Sequence, residues 1–68
     1  MINIKLKQLL QQKGKTRYWL SKQTNLDYNT INRIMNNEVI SLHLLTIEKI
    51  CLTLDCSISD LLEIVYES

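Results

Sequence analysis

Between Tyr28 and Arg33 the chain sets Tyr28, Asn29, Thr30, Asn32 and Arg33 around a single isoleucine, Ile31. Amide, hydroxyl, phenol and guanidinium groups in so short a run supply the contacts that the edges of base pairs require. An asparagine can bridge adenine and an arginine can bridge guanine with two hydrogen bonds each, while threonine or tyrosine can touch a thymine methyl. At helical spacing Ile31, Ile34 and Met35 share one face, which leaves Asn29, Arg33 and Asn36 on the opposite one. Tyr28, Thr30 and Asn32 flank that polar face. Two of these residues also fit a purely structural role: Tyr28 as a helix-start aromatic lying over Leu26, and Asn36 as the end of the helix.

The elements that must position this face are legible on both sides of it. Thr16 can cap a helix start, and Leu20, Ser21 and Thr24 then form a small-residue stripe suited to close helix contact. Asn25 falls where a left-handed residue usually closes a helix, so that helix should stop at about Thr24. Leu26 is a lone apolar anchor, and Asp27 can accept hydrogen bonds from the first amides of the next helix. Thr16 to Asn37 therefore reads as two short helices hinged on a three-residue turn, the layout of a helix-turn-helix. Further out, Ile4, Leu6, Leu9 and Leu10 predict a first helix over about Asn3 to Lys13, stopped by Gly14. Leu44, Ile47, Ile50, Cys51 and Leu54 line one face of a fourth helix from about Leu44 to Leu54. Ser57 and Asp60 form a capping-box pattern ahead of Leu61, Leu62 and Val65, which opens a fifth. No stretch sustains period-two alternation between turn residues. The expected fold is all-α: a five-helix bundle whose second and third helices form the helix-turn-helix.

Net charge is only +1 with a pI near 7.8, which by itself points away from nucleic acid. The distribution says more. From Met1 to Asn37 there are seven basic residues against one acid, a net +6, and from Glu38 to Ser68 one base against six acids, a net −5. The candidate base-reading residues lie in the basic half, and the acidic fourth and fifth helices, with Glu48, Asp60, Glu63 and Glu67, are expected to point away from phosphate.

At 68 residues the chain is expected to form one domain over 1–68, small enough to bury only roughly 60% of its unfolded surface. No apolar stretch approaches the ~20 residues that span a bilayer, and the start lacks a signal-peptide core, so a cytoplasmic protein without a membrane partner is expected. Cys51 and Cys56 fit neither a zinc-site spacing nor a CxxC redox pair, and read as reduced, packed small hydrophobes. Trp19 lies off the Leu20 stripe, as a cover over the first helix or as part of a partner surface. With one histidine, His43, no glycine-rich loop and no metal cluster, nothing activates a nucleophile or holds a phosphate. No enzyme activity, cofactor, metal or small-molecule ligand is expected.

The chain resembles the Cro/repressor-type, or XRE-like, helix-turn-helix regulators over nearly its whole length. The resemblance rests on WLSKQTNLDYNTINRIMNN and on TIEKICLTLDCSISDLL, which is similar to the family's fourth and fifth helices. Asn25 and Asn37 stand where Gly is common, Ser21 where Ala is common, and Arg17 where Gln often sits. The resemblance implies a lambda-repressor-like domain in a small prokaryotic or phage transcriptional regulator, often a repressor, bound to double-stranded DNA. It implies that the helix starting near Tyr28 lies in the major groove, with Tyr28, Asn29, Thr30, Asn32 and Arg33 at the bases. It further implies phosphate contacts from Arg17, from Asn36, and from Ser41 and His43 near the start of the fourth helix.

One group of apolar residues is left over. Leu45 and Leu52 fall opposite the core stripe of the fourth helix, Ile64 points away from Leu61, Leu62 and Val65, and Ile40 sits in the connecting loop. In the family pattern the places of Ile40, Leu45 and Leu52 are commonly polar. A homodimer through Leu45, Leu52 and Ile64, with Val65, Tyr66 and Trp19 as alternatives, is the expected use of this surface. The competing class is a protein-interaction module, antitoxin-like or phage-encoded, with a reused helix-turn-helix.

Overall fold

The computed structural model describes residues 1–39 and 41–66; Ile40 and Glu67 lie outside the described residues. The order of elements is β1 (Ile2–Ile4), α1 (Leu6–Lys13), α2 (Arg17–Thr24), α3 (Tyr28–Met35), α4 (Leu44–Leu54), α5 (Ile58–Leu61) and β2 (Leu62–Ile64). Leu6, Leu20, Ile31, Ile34, Ile50 and Leu61, one or more from each helix, are fully buried in one core.

Five helices are present among the described residues, as expected, but the all-α expectation needs correction at both ends. β1 and β2 pair antiparallel, with Ile2 opposite Ile64, Asn3 opposite Glu63 and Ile4 opposite Leu62. The first helix consequently starts at Leu6 rather than Asn3. The first amides of a helix have no partner within it, and here residues just before α1 find theirs far along the chain. The Ile4 N–H donates to Asn37 Oδ1 at 2.8 Å, and the Lys5 N–H donates to the Leu61 carbonyl at 2.7 Å. At the other end α5 is a single turn, and Ile64 belongs to β2 rather than to a fifth helix. Val65 is exposed, and its N–H donates to the Met1 carbonyl at 2.8 Å. Glu63 is likewise in the strand, where its carboxylate accepts from Asn3 Nδ2 at 2.6 Å.

Helix ends follow local chemistry closely. Gly14, Asn25 and Asp55 all take left-handed backbone at helix C-termini. Thr16 Oγ1 accepts from the Trp19 N–H at 3.1 Å and so caps α2. Asp27 occupies the N-cap of α3 with extended backbone, but its exposed side chain makes no cap bond, contrary to expectation, since water competes for a carboxylate left in solvent. Leu44 also departs from its predicted place. It is 83% exposed, because the first turn of α4 projects past the core and Ile47 is the first residue of the stripe to pack against it.

Ser57 and Asp60 form the predicted capping box: Ser57 Oγ accepts from the Asp60 N–H, and the Asp60 carboxylate accepts from the Ser57 N–H at 3.1 Å. These bonds, the backbone one first, hold the Asp60 carboxyl below the usual aspartate range, with Lys5 and Lys13 adding attraction. A carboxylate with depressed pKa stabilises the fold fully above its unfolded pKa of about 4, and that contribution disappears as pH falls through the lower folded value. Thermal melts from pH 6 to pH 2 should therefore show Asp60→Asn losing less stability on acidification than the parent. Parallel losses would exclude Asp60 as a source of acid sensitivity.

Cys51 is buried and Cys56 half-buried, and both are free thiols. Burial first, then the neighbouring Cys51 and Asp60, pushes the Cys56 thiol up to about 11, which leaves it protonated and unreactive at neutral pH.

Candidate nucleic-acid interface

Hydroxyl groups on α2 hold the turn of the predicted helix-turn-helix. Ser21 Oγ donates to the Leu26 carbonyl at 2.7 Å, and Thr24 Oγ1 donates to the Leu20 carbonyl at 2.7 Å while accepting from the Leu26 N–H at 3.3 Å. With Asn25 at φ 61°, these bonds tie the end of α2 to the turn that leads into α3. Ser21 thus does more than keep the helix contact small: its hydroxyl satisfies a turn carbonyl that an alanine would leave to water.

Ile31 and Ile34 anchor α3 in the core and Met35 is half-buried beside them, so Asn29, Arg33 and Asn36 are turned outward and exposed. Thr30 and Asn32 are half-buried at the two flanks. Tyr28 is 43% exposed at the start of the helix. It shares a shallow surface depression with Leu26, so both readings of this tyrosine keep a physical basis. Tyr18 and Lys22 line the same depression, with the Lys22 ammonium 5.3 Å from the Tyr18 ring centre. That aromatic and cationic pair is absent from the sequence-based candidates. Its signal was the separation of four residues on α2, which places both side chains on one exposed face.

Arg17 opens α2, is exposed, and donates from Nη1 to Asn32 Oδ1 at 2.5 Å. Two residues proposed for different tasks, one for phosphate and one for bases, are therefore in direct contact. Asn36 ends α3, exposed. Ser41 and His43 are exposed in the segment leading into α4, where His43 holds the N-cap position without a side-chain bond. Asn37, next to Asn36, has left-handed backbone at φ 57°. Its amide serves the fold, accepting from Ile4 N–H and donating to Asn3 Oδ1 at 3.1 Å, and so ties the end of α3 to β1.

Not every basic residue of the N-terminal half belongs to this face. Lys5 donates from Nζ to the Ser59 carbonyl at 3.0 Å, and both Lys5 and Lys13 lie close enough to Asp60 to lower its pKa. The charge asymmetry of the sequence is thus partly cancelled in space at the α5 end. Lys15 instead stands over the half-buried Trp19, 4.8 Å from the ring centre, and Trp19 packs against the core.

Leu45 and Leu52 lie on the outward face of α4, 61% and 74% exposed. Ile64, 58% exposed, sits across from Ile2 in the sheet rather than on a helix with them. Among the described residues no helix is long and apolar enough to cross a membrane, and no group of three His, Cys, Asp or Glu side chains gathers as a metal site.

A family model described as the Cro/C1-type HTH DNA-binding domain matches residues 5–67. The solved structure of a Bacteroides fragilis protein, described as a candidate DNA-binding protein, is similar to the chain with a TM-score of 0.83 at 27% sequence identity. The similarity covers 93% of this chain and 100% of the other. No curated protein matches the chain significantly.

Proposed function

The chain belongs to the Cro/C1-type helix-turn-helix DNA-binding family, and on that premise we propose that it is a sequence-specific regulator of transcription that reads the major groove with α3. The observation that carries this reading is the outward face of α3, where Asn29, Arg33 and Asn36 stand exposed opposite the buried Ile31 and Ile34. A helix anchored on one side and offering amides and a guanidinium on the other is what direct base readout needs. Tyr28, Thr30 and Asn32 complete the base-contacting set, while Arg17, Asn36, Ser41 and His43 hold the phosphates on either side. Selection of bound sequences from random duplex DNA tests the reading. A regulator of this kind enriches a defined site and loses it on Asn29→Ala; a protein-interaction module enriches nothing and tolerates the change.

Such proteins act as pairs when two reading helices must meet half-sites about one DNA turn apart. The exposed Leu45 and Leu52 support a homodimer through the back of α4, with the patch of Ile2 and Ile64 as a second apolar surface. Sedimentation of the parent at tens of micromolar should give a dimer, and Leu52→Lys, which places a charge in the apolar contact, should give a monomer. A monomeric parent, or a variant that pairs equally well, removes this interface.

A further inference from the structure

We propose that Arg17 determines which base Asn32 selects. This inference rests on the reading of α3 as the groove-facing helix. An asparagine that recognises adenine uses both ends of its amide, accepting from N6 with Oδ1 and donating to N7 with Nδ2. Here one of the two lone pairs of the acceptor end is taken. Asn32 Oδ1 already receives the Arg17 guanidinium at 2.5 Å, and a hydrogen bond from a charged donor is about twice as strong as a neutral one. The same contact settles the orientation of the amide, because only the oxygen can face a guanidinium. Asn32 therefore keeps both Nδ2 donors, whereas any second donor at Oδ1 must share the oxygen with a charged guanidinium.

A side chain biased toward donating favours acceptors. In the major groove guanine presents two, N7 and O6, and thymine presents O4, whereas adenine places its own N6 donor beside its acceptor. The base pair facing Asn32 is accordingly chosen for an acceptor edge, with guanine favoured over adenine. Position on the helix permits this contact: Asn32 lies on the flank of the polar face nearer α2, one turn from Tyr28 and one turn from Asn36. Arg17 spends one of its five N–H groups on Asn32, and the rest remain free for a phosphate. One guanidinium then joins the backbone contact that fixes register to the side chain that reads a base. Arg17 is a positioning residue for specificity as well as a phosphate ligand.

The test is duplex selection followed by titration of single-base variants of the enriched site. The proteins compared are the full chain, Asn32→Ala, Arg17→Ala and the double variant, each checked for helical content by circular dichroism. Asn32→Ala identifies the base pair that this residue reads. Arg17→Ala should weaken binding to every sequence and lower the salt slope by about one. At the base pair identified through Asn32 it should also move preference several-fold from guanine or thymine toward adenine, because the freed Oδ1 can then accept from N6. That additional shift should vanish in the double variant. A uniform loss of affinity in Arg17→Ala with unchanged preference at that base pair overturns the coupling while leaving the DNA reading intact. A parent that enriches no sequence overturns both.

Discussion

Arg33→Ala should cost about 1–3 kcal/mol of binding free energy on the preferred site, roughly 5- to 150-fold in Kd, and should relax preference at one base pair. Arg33 is exposed on α3, two residues after the fully buried Ile31 and one before the fully buried Ile34, so the backbone that carries it is fixed while its side chain is free to extend. A guanidinium presented this way can give two parallel hydrogen bonds to guanine O6 and N7, and a lysine in its place would supply charge without that geometry. The measurement is a competition titration of the parent, Arg33→Ala and Arg33→Lys against the preferred duplex and its single-base variants. Base readout predicts a loss concentrated on the preferred duplex, with Arg33→Lys recovering affinity but not discrimination. Equal losses on every duplex would make Arg33 a phosphate contact, and no loss would remove it from the interface.

The parts of this fold that short-range rules govern are legible in the sequence alone. Thr16 capping α2, Asn25 in left-handed backbone, Gly14 closing α1 and the Ser57 and Asp60 box each involve residues a few positions apart, so their chemistry is written locally. The strands were not readable for the converse reason. Ile2–Ile4 and Leu62–Ile64 are three residues each, too short for alternation to register, and their hydrogen bonds join the two ends of the chain. With Leu61 and Leu62 following a capping box, the local pattern favoured a longer helix, and the pairing with β1 overrode it. The polar face of α3 is legible because buried apolar residues and exposed polar ones recur at helical spacing. The Arg17 contact with Asn32 crosses fifteen residues of sequence, and depends on the packing of α2 against α3. No periodicity encodes it. Asn37 shows the same division: its left-handed backbone follows from residue type, while its amide bond to β1 is visible only once the strand is in place.

The two ends of α4 give the sharpest stability contrast. Leu44 and Leu54 fall on one apolar stripe by spacing, yet Leu54 is 3% exposed and Leu44 is 83% exposed. Truncating a buried leucine removes its transfer free energy and leaves a cavity, at about 2–5 kcal/mol, whereas a solvent-exposed change with no special role stays within about 0.5 kcal/mol. At roughly 0.05–0.15 kcal/mol per residue, a chain of 68 residues has a total stability of only about 3–10 kcal/mol. Leu54→Ala therefore removes a large share of it, and Leu44→Ala almost none. Denaturant unfolding should show the midpoint falling steeply for Leu54→Ala and holding for Leu44→Ala. Because α4 packs on α2 and α2 carries α3 through the turn, DNA binding should fail in Leu54→Ala as the folded fraction falls, with the preferred sequence unchanged in the molecules that remain folded. Equal losses from the two truncations would put Leu44 back in the core and shift the start of α4 onto it.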